Sequence, residues 1–340
     1  MTNATYFVGL DIASTQFHAA IGTRPWKLLV HGQEFANTPD GFAQVLEWLQ
    51  QHACTPANTV LCMEATGVYG EALAYFLVAH GYRLAIEPPL KVKRAFKVSG
   101  PKTDPVDSEQ IAEYACRYED ELVLWQPPQE LIEHLQVLLA TREQLVQQSV
   151  AQQNALKALR RKHIRTPFAE EVYEQLLAEL KAQIKAVEQE IRRLIDEHPT
   201  AQRLLILLLT IPGVGLLLAA HVLVLTQCAT HPWTYPKLAA HLGICPYKHE
   251  SGSSVHARPT SRHYGPSQPR KLLHLAARSV TTHNAHFRTY YARKLAEGKC
   301  KPLALNNVAN KLLRIICAVL QSQTAYAADH CLAGALPVKN

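Results

Sequence analysis

Two short apolar runs near the start of the chain each lead into an acidic residue. Tyr6-Phe7-Val8-Gly9-Leu10 leads into Asp11, and Thr59-Val60-Leu61-Cys62-Met63 leads into Glu64. Runs of this length with β-branched and aromatic residues suit buried strands. Phe17-His18-Ala19-Ala20-Ile21 is expected to return as the hairpin partner of the first strand, and Arg83-Leu84-Ala85-Ile86 to form a further strand stopped by Pro88 and Pro89. Between them lie helical spacings: Phe42, Val45, Leu46 and Leu49 behind a capping Thr38, then Leu73 and Phe76. Strands interleaved with helices predict an α/β layer fold. In such a sheet ligands bind at the C-terminal edge of the strands, which is where Asp11 and Glu64 stand.

A second acidic pair follows. Thr103 is expected to cap a helix through Ile111, Ala112 and Ala115, with Pro105 in a first turn that tolerates its missing N–H. Asp104 and Asp107 are three residues apart in that turn and project from one face. Glu109 and Glu113 fall elsewhere on the helix and read as surface charge. Each acid alone has an ordinary explanation, as a turn residue or a charge favoured by the helix dipole. Together, Asp11, Glu64, Asp104 and Asp107 would repel one another without a cation. Hard oxygen ligands suit Mg²⁺ or Mn²⁺, and two such ions about 3.5–4 Å apart can clamp the attacking and leaving oxygens of a phosphodiester.

Beyond Pro127-Pro128 the pattern changes. Leu131, Leu135, Leu138, Leu145, Leu156 and Leu159 keep a heptad spacing, with Arg142, Ser149 and Gln152 in the intervening seam. After Thr166-Pro167 the spacing resumes at Tyr173, Leu177, Leu180, Ile184, Val187, Ile191 and Leu194. This predicts a long antiparallel helical hairpin or coiled coil, ended by Pro199. Lys157, Arg160, Arg161, Lys162 and Arg165 cluster near its tip, either as a solvated helix end or as a nucleic-acid contact. A mostly helical segment follows, closing on the amphipathic helix Val308, Leu312, Leu313, Ile316, Val319 and Leu320.

Charge is uneven along the chain. The formal net charge is +7. Between Ser251 and Lys301, Glu297 is the lone acid among Arg258, Arg262, Arg270, Lys271, Arg278, Arg288, Arg293, Lys294, Lys299 and Lys301. A solvated face mixes both signs, so this window favours phosphate contact. The eight cysteines form no C-x-x-C pair and read as reduced, mostly buried thiols. His249, His256 and His263 with Cys245 match no zinc spacing. No apolar run reads as a bilayer span and the first residues lack a signal-peptide pattern, so the expected location is the cytoplasm, at the nucleoid, with no membrane partner.

The motifs in order, Val8-Gly9-Leu10-Asp11, Met63-Glu64-Ala65-Thr66-Gly67, Lys102-Thr103-Asp104-Pro105-Val106-Asp107, Ile211-Pro212-Gly213-Val214-Gly215 and Glu250-Ser251-Gly252-Ser253-Ser254, carry a resemblance. From about Phe7 to Gln323 the chain resembles prokaryotic insertion-sequence transposases that pair a DEDD, RuvC-like (RNase H-like) domain with a serine-bearing C-terminal domain. Piv-type DNA invertases and RNA-guided recombinases belong to the same group. The resemblance implies that Asp11, Glu64, Asp104 and Asp107 bind Mg²⁺ or Mn²⁺ and that Ser251 is the nucleophile. It also implies that Arg270 and Lys271, and with them Arg258, hold the nucleic-acid backbone. Gly213 and Gly215 resemble the turn of a helix-hairpin-helix, where glycine lets backbone N–H groups approach a phosphate. Ser108 replaces a usual Ala, while His263, Pro266 and Pro269 replace residues around Gly265, which leaves the local helix start and the direction of Arg270 open.

The organisation expected from this is a RuvC-like domain over 1–126, a helical hairpin over 127–200, a helical domain with the serine over 201–325 and a tail over 326–340. The activity implied is DNA transposition or recombination through a serine–DNA intermediate. Donor and target DNA, a structured guide RNA and a homodimer or homotetramer are its partners. Two other readings stand beside it. One is a structure-specific nuclease using the carboxylates and water. The other is a non-catalytic nucleic-acid-binding protein derived from a transposase.

Overall fold

The computed structural model describes residues 4–65, 67–96, 104–230, 233–251, 255–261 and 265–327, with the backbone alone at 247–251 and 255–260. The chain forms two compact units, 1–127 and 128–340.

The first unit is built on a five-stranded sheet. Its strands are β1 (Tyr6–Ile12), β2 (Gln16–Thr23), β3 (Lys27–Ala36), β4 (Thr59–Glu64) and β5 (Arg83–Glu87). They lie in the order β3-β2-β1-β4-β5. The first three strands pair antiparallel, and β4 and β5 join β1 in parallel. This mixed sheet has the RNase H-like arrangement the motifs imply. Helix α1 (Pro39–Gln51) begins where expected, with Gly41 N donating to the Thr38 hydroxyl at 3.3 Å. Helices α2 (Glu71–Ala79), α3 (Pro89–Ala95) and α4 (Asp104–Arg117) complete the unit.

Alternation along the strands sorts the sheet's two faces. Val8, Leu10 and Ile12 pack with Phe42, Val45, Leu49, Leu73 and Leu77, so α1 and α2 cover one side. Phe7, Val60, Cys62 and Ala85 pack with Ile111, Tyr114 and Ala115, so α4 covers the other. Residues after α4 return to the sheet edge, where Trp125 N donates to the Leu84 carbonyl at 2.7 Å. In this unit β3 and α3 escaped sequence reasoning. Strand β3 carries Lys27, His31 and Glu34 on an edge, so its apolar signal is weak, and α3 follows directly on Pro88, which reads as a plain stop.

In the second unit, α5 (Glu130–Leu159) and α6 (Pro167–Asp196) form an antiparallel pair. The polar seam has a partner: Arg142 Nε donates to Glu188 Oε1 at 2.6 Å, and Ser149 is buried. At the tip, Arg160 and Arg165 both bind Glu170, which draws two of the five tip cations into intramolecular pairs. The base of the pair is core rather than stalk. Leu131, Ile132, Leu135 and Leu139 of α5 and Ile191 and Ile195 of α6 pack with the helices that follow.

Those helices are α7 (Pro199–Leu209), α8 (Leu216–Leu225), α9 (Tyr235–His241), α10 (Ser267–His283), α11 (Ala285–Ala296) and α12 (Lys301–Ser322). A two-stranded ribbon of β6 (Pro246–Ser251) and β7 (Val255–Ser261) interrupts them. Among the described residues α12 alone is long and apolar enough to cross a bilayer by length and composition, against the expectation of no such run. Its Val308, Leu312, Leu313 and Ile316 are instead fully buried in the helical core, which explains the composition.

Candidate active site

The acids stand on a single cross-strand row. Asp11 faces His18 across β1 and β2, and His18 faces Glu34 across β2 and β3. On the other side Leu10 pairs with Met63, which brings Asp11 level with Glu64, and Glu64 pairs with Glu87 of β5. The row lies on the α4 face, because Asp11 shares its side of β1 with Gly9 and Phe7.

Two glycines bring α4 down onto that row. A Cβ on Gly9 would sit 2.0 Å from the Ser108 carbonyl oxygen and 2.3 Å from Ala112 N. A Cβ on Gly32 of β3 would sit 2.6 Å from the Pro105 Cα. Only bare backbone on β1 and β3 lets the first turn of α4 lie this close. His31 Nδ1 adds a bond to Glu109 at 2.9 Å, so Glu109 ties α4 to β3 rather than serving as loose surface charge. Ser108 is fully buried and its hydroxyl donates to the Pro105 carbonyl at 2.7 Å, so the extra oxygen relative to alanine is satisfied within its own turn.

Asp104 and Asp107 thereby reach the row's electrostatic neighbourhood. The half-buried Asp11 carboxyl is pushed up from 3.8 to about 6 by burial first, then by Asp107, Asp104 and Glu64, with His18 opposing. All four sequence-selected acids thus act on one point. Among the described residues no three His, Cys, Asp or Glu side chains are gathered tightly enough to hold a metal ion. The donor set itself fits a hard divalent cation: oxygen ligands alone, two from the strand edge and two from the first turn of α4, mutually repelling.

Three residues of the row, Glu34, His18 and Glu87, escaped the sequence reading. Glu87 ends β5 just as Asp11 and Glu64 close their strands, a signal present in Arg83-Leu84-Ala85-Ile86-Glu87. Its buried carboxylate accepts from Lys91 Nζ at 3.1–3.2 Å, which neutralises it within the fold. His18 is buried and lies 3.6 Å from Glu34 Oε2. Only the strand register reveals its place beside Asp11.

The second candidate site lies in the helical unit. Ser251 is the last residue of β6, and its backbone pairs with Val255 of β7. Gly252, Ser253, Ser254, Arg262 and His263 lie outside the described residues, as do Thr66, Lys102 and Thr103 at the first site. Arg258 lies on β7. The ribbon's root is fixed by α12, where Asn306 and Asn310 side chains donate to the Ile244 carbonyl at 3.1 and 3.2 Å.

Pro266 and Pro269 do not disturb the helix that follows. Pro266 takes the N-cap of α10 and Pro269 falls in its first turn, where proline is tolerated. Gly265 is required there, since a Cβ would meet the His241 carbonyl oxygen at 1.6 Å. Arg270 Nη1 donates to the Leu242 carbonyl at 3.1 Å, so part of its hydrogen-bonding capacity holds the end of α9, while Lys271 is exposed. The lone acid of the basic window, Glu297, pairs with Lys294, Lys299 and Arg293.

The glycines of the α7–α8 turn differ from each other. Gly213 has φ +80° and rests against α10, where a Cβ would meet Val280 at 2.6 Å. Gly215 is the N-cap of α8 and has open space around it. Of the two, only Gly215 has open space at its Cβ position.

Comparison with known proteins finds matches in both units. Residues 8–164 match the DEDD transposase model of the IS110 type, and residues 206–292 match the transposase IS116/IS110/IS902 family. The chain is 27% identical over 324 residues to the pilin gene-inverting proteins of Moraxella bovis and Moraxella lacunata, covering 94% of this chain and 97% of theirs. It is 31% identical over 150 residues to the uncharacterized 43.6 kDa protein of insertion element IS110 from Streptomyces coelicolor, covering 44% of this chain and 36% of that one. Among solved structures, Thermus thermophilus RuvC in complex with a Holliday junction substrate aligns with 36% of this chain and 99% of its own, at 15% identity and a TM-score of 0.29.

Proposed function

Because the chain belongs to the IS110 family of transposases and is a DNA recombinase or transposase by that membership, we propose how its residues divide the work. Asp11, Glu64, Asp104 and Asp107 hold divalent cations, Mg²⁺ or Mn²⁺, and Ser251 attacks the DNA phosphate. The observation that supports this best is the Asp11 carboxyl, raised to about 6 by burial and by the three other acids. Such repulsion is relieved when a cation binds. That cation would supply Lewis-acid stabilisation of charge on the phosphate oxygens.

The protein's own groups do the rest. The serine oxygen bonds to phosphorus, the bond from phosphorus to the leaving sugar oxygen breaks, and the hydroxyl proton passes to a base. The resulting phosphoserine diester keeps the energy of the broken bond. A hydroxyl of a second strand can then displace the serine and restore it. Water as attacker would end in cleavage, whereas serine ends in exchange. The pilin gene-inverting relatives carry a name that requires exchange of strands, which favours serine.

Lys271, Arg270 and Arg258 contact the phosphate backbone, and Gly215 offers it the N-terminal amides of α8. A structured RNA pairing with donor and target DNA supplies sequence recognition, and a dimer or tetramer brings the two DNA partners together. Strand-transfer assays on element-end DNA with Mg²⁺ test the central assignment. Ser251→Ala is expected to abolish transfer, and intact transfer by that variant would overturn the serine mechanism.

A further inference from the structure

The helical unit holds a cavity of about 910 Å³ that none of these roles uses. It is walled by α9, α11 and α12, by the first residue of β6 and by residues 324–327. Its charge is one-sided: Arg293, Lys311 and Arg314 line it, and among the described residues no acidic side chain does. Aromatic rings set those cations in place. Lys311 Nζ lies 4.6 Å and the Arg293 guanidinium 5.2 Å from the Tyr290 ring centre, and the Arg314 guanidinium lies 4.5 Å from that of Tyr235. Cations held on ring faces are ordered before any ligand arrives.

The wall also holds an unsatisfied donor. The Asn307 side-chain nitrogen is shielded from solvent and has no hydrogen-bond partner. A buried donor left alone costs stability unless something accepts from it. Three cations ask for phosphate, but the volume is far larger than a phosphate needs and falls in the range that encloses a small organic ligand. A base can stack on a guanidinium plane, and base edges carry the acceptors that an amide nitrogen seeks.

We propose that this cavity receives one unpaired nucleotide of a nucleic-acid strand, with its phosphate on Arg293, Lys311 and Arg314 and its base beside Asn307. The inference rests on the reading of the chain as a strand-exchanging enzyme. It deepens that reading, because the cavity wall is also the root of the serine ribbon. Tyr235 donates its hydroxyl proton to Asn310 Oδ1 at 2.7 Å, and the Asn310 and Asn306 amides hold the Ile244 carbonyl two residues before β6. A strand threaded here is anchored at the base of the element that carries Ser251.

The test uses the full-length protein without divalent metal, so that binding is read apart from cutting. Fluorescence anisotropy measures affinity for single-stranded DNA, single-stranded RNA and a DNA duplex of one sequence, with a deoxynucleoside monophosphate as competitor. Arg314→Glu and Asn307→Leu are each expected to weaken single-strand binding at least fivefold and duplex binding less than twofold. The tighter of the DNA and RNA arms identifies the strand. Strands carrying bromodeoxyuridine or bromouridine are expected to crosslink to the peptides of Tyr235 or Tyr290. Arg314→Gln, a milder change at an exposed position, is expected to fall between wild type and Arg314→Glu, with melting temperature checked for each variant. Wild-type single-strand affinity in folded Arg314→Glu and Asn307→Leu, or crosslinks confined to other peptides, overturns the proposal. Strands bound through this cavity by a protein that never joins them would overturn the recombinase reading and leave the cavity's role standing.

Discussion

The acids of the first unit and the serine of the second are built by opposite means. Asp11 and Glu64 are fixed within a five-stranded sheet, and α4 is seated against that sheet through Gly9 and Gly32. Ser251 ends one strand of a two-stranded ribbon whose support lies at its root, where Asn306 and Asn310 hold Ile244. Under the proposed assignment, the difference follows from the chemistry asked of each. Like charges must be held together against their repulsion, which needs elements buried on several sides. A neutral hydroxyl would meet no such repulsion and asks less of its support.

The largest expected effects break the acidic half. Asp11→Asn and Asp107→Asn should each lower Mg²⁺-dependent strand cleavage at least ~1,000-fold, roughly 4 kcal/mol of lost transition-state stabilisation, with duplex affinity close to wild type. Gel assays of cleavage and anisotropy of binding check both parts. A variant that cuts at a tenth of the wild-type rate would remove that acid from the site.

Backbone seating comes next. Gly9→Ala should lower stability by about 1–3 kcal/mol, since its Cβ meets backbone atoms of α4 that cannot yield cheaply. Gly215→Ala, in open space, should stay within about 0.5 kcal/mol of wild type. Urea denaturation of the two variants compares them directly, and equal losses would contradict the packing described for α4.

The pH dependence of the metal-free protein is smaller and opposite in sign between the two units. Asp11 titrates near 6 when folded and near 3.8 when not, so the folded state binds the extra proton. Its contribution to stability is therefore present below pH 3.8 and lost as pH rises towards 6. A displacement of that size is worth ~3 kcal/mol, reduced to about 1–2 kcal/mol because the half-buried carboxyl is screened by solvent. Asp11→Asn should accordingly stabilise the metal-free protein at pH 7.5 while destroying activity. In the helical unit, His221 is pushed down from 6.5 to about 4, by burial first and then by Arg142. Here the unfolded chain binds the proton, so stability falls as pH drops from 6.5 towards 4. Replacing His221 by Gln should flatten that acid limb, as followed by thermal melts across pH. The smallest effect is expected at the hairpin tip, where Arg165→Ala removes one of two arginines on the buried Glu170; Arg160 still pairs with that carboxylate, so thermal melting should show only a small loss of stability.

How much could be read in advance follows the same contrast. Strands whose residues are buried on both faces, such as β1 and β4, announce themselves as apolar runs, and an acid closing such a run marks a sheet edge. Thr38, Pro105 and the spacing of Asp104 and Asp107 located helix starts, because capping and first-turn chemistry are local. What escaped depends on pairing between distant segments. His18 gains meaning only opposite Asp11, and Gly9 and Gly32 only beneath α4. Glu87 carried the same signal as Glu64, but Lys91 on the following helix removes its charge. The cavity beside the ribbon draws on α9, α11 and α12, and no single stretch of sequence shows it.

The central claim joins the acidic row to Ser251 in one reaction. It is tested most directly by trapping the reaction with Mg²⁺ and element-end DNA, digesting the protein, and identifying by mass spectrometry the peptide that carries a nucleotide. The account predicts an adduct on Ser251 in the wild type, and none in Asp11→Asn or Ser251→Ala. Strand transfer with no adduct, or an adduct that persists on another residue in Ser251→Ala, would contradict it.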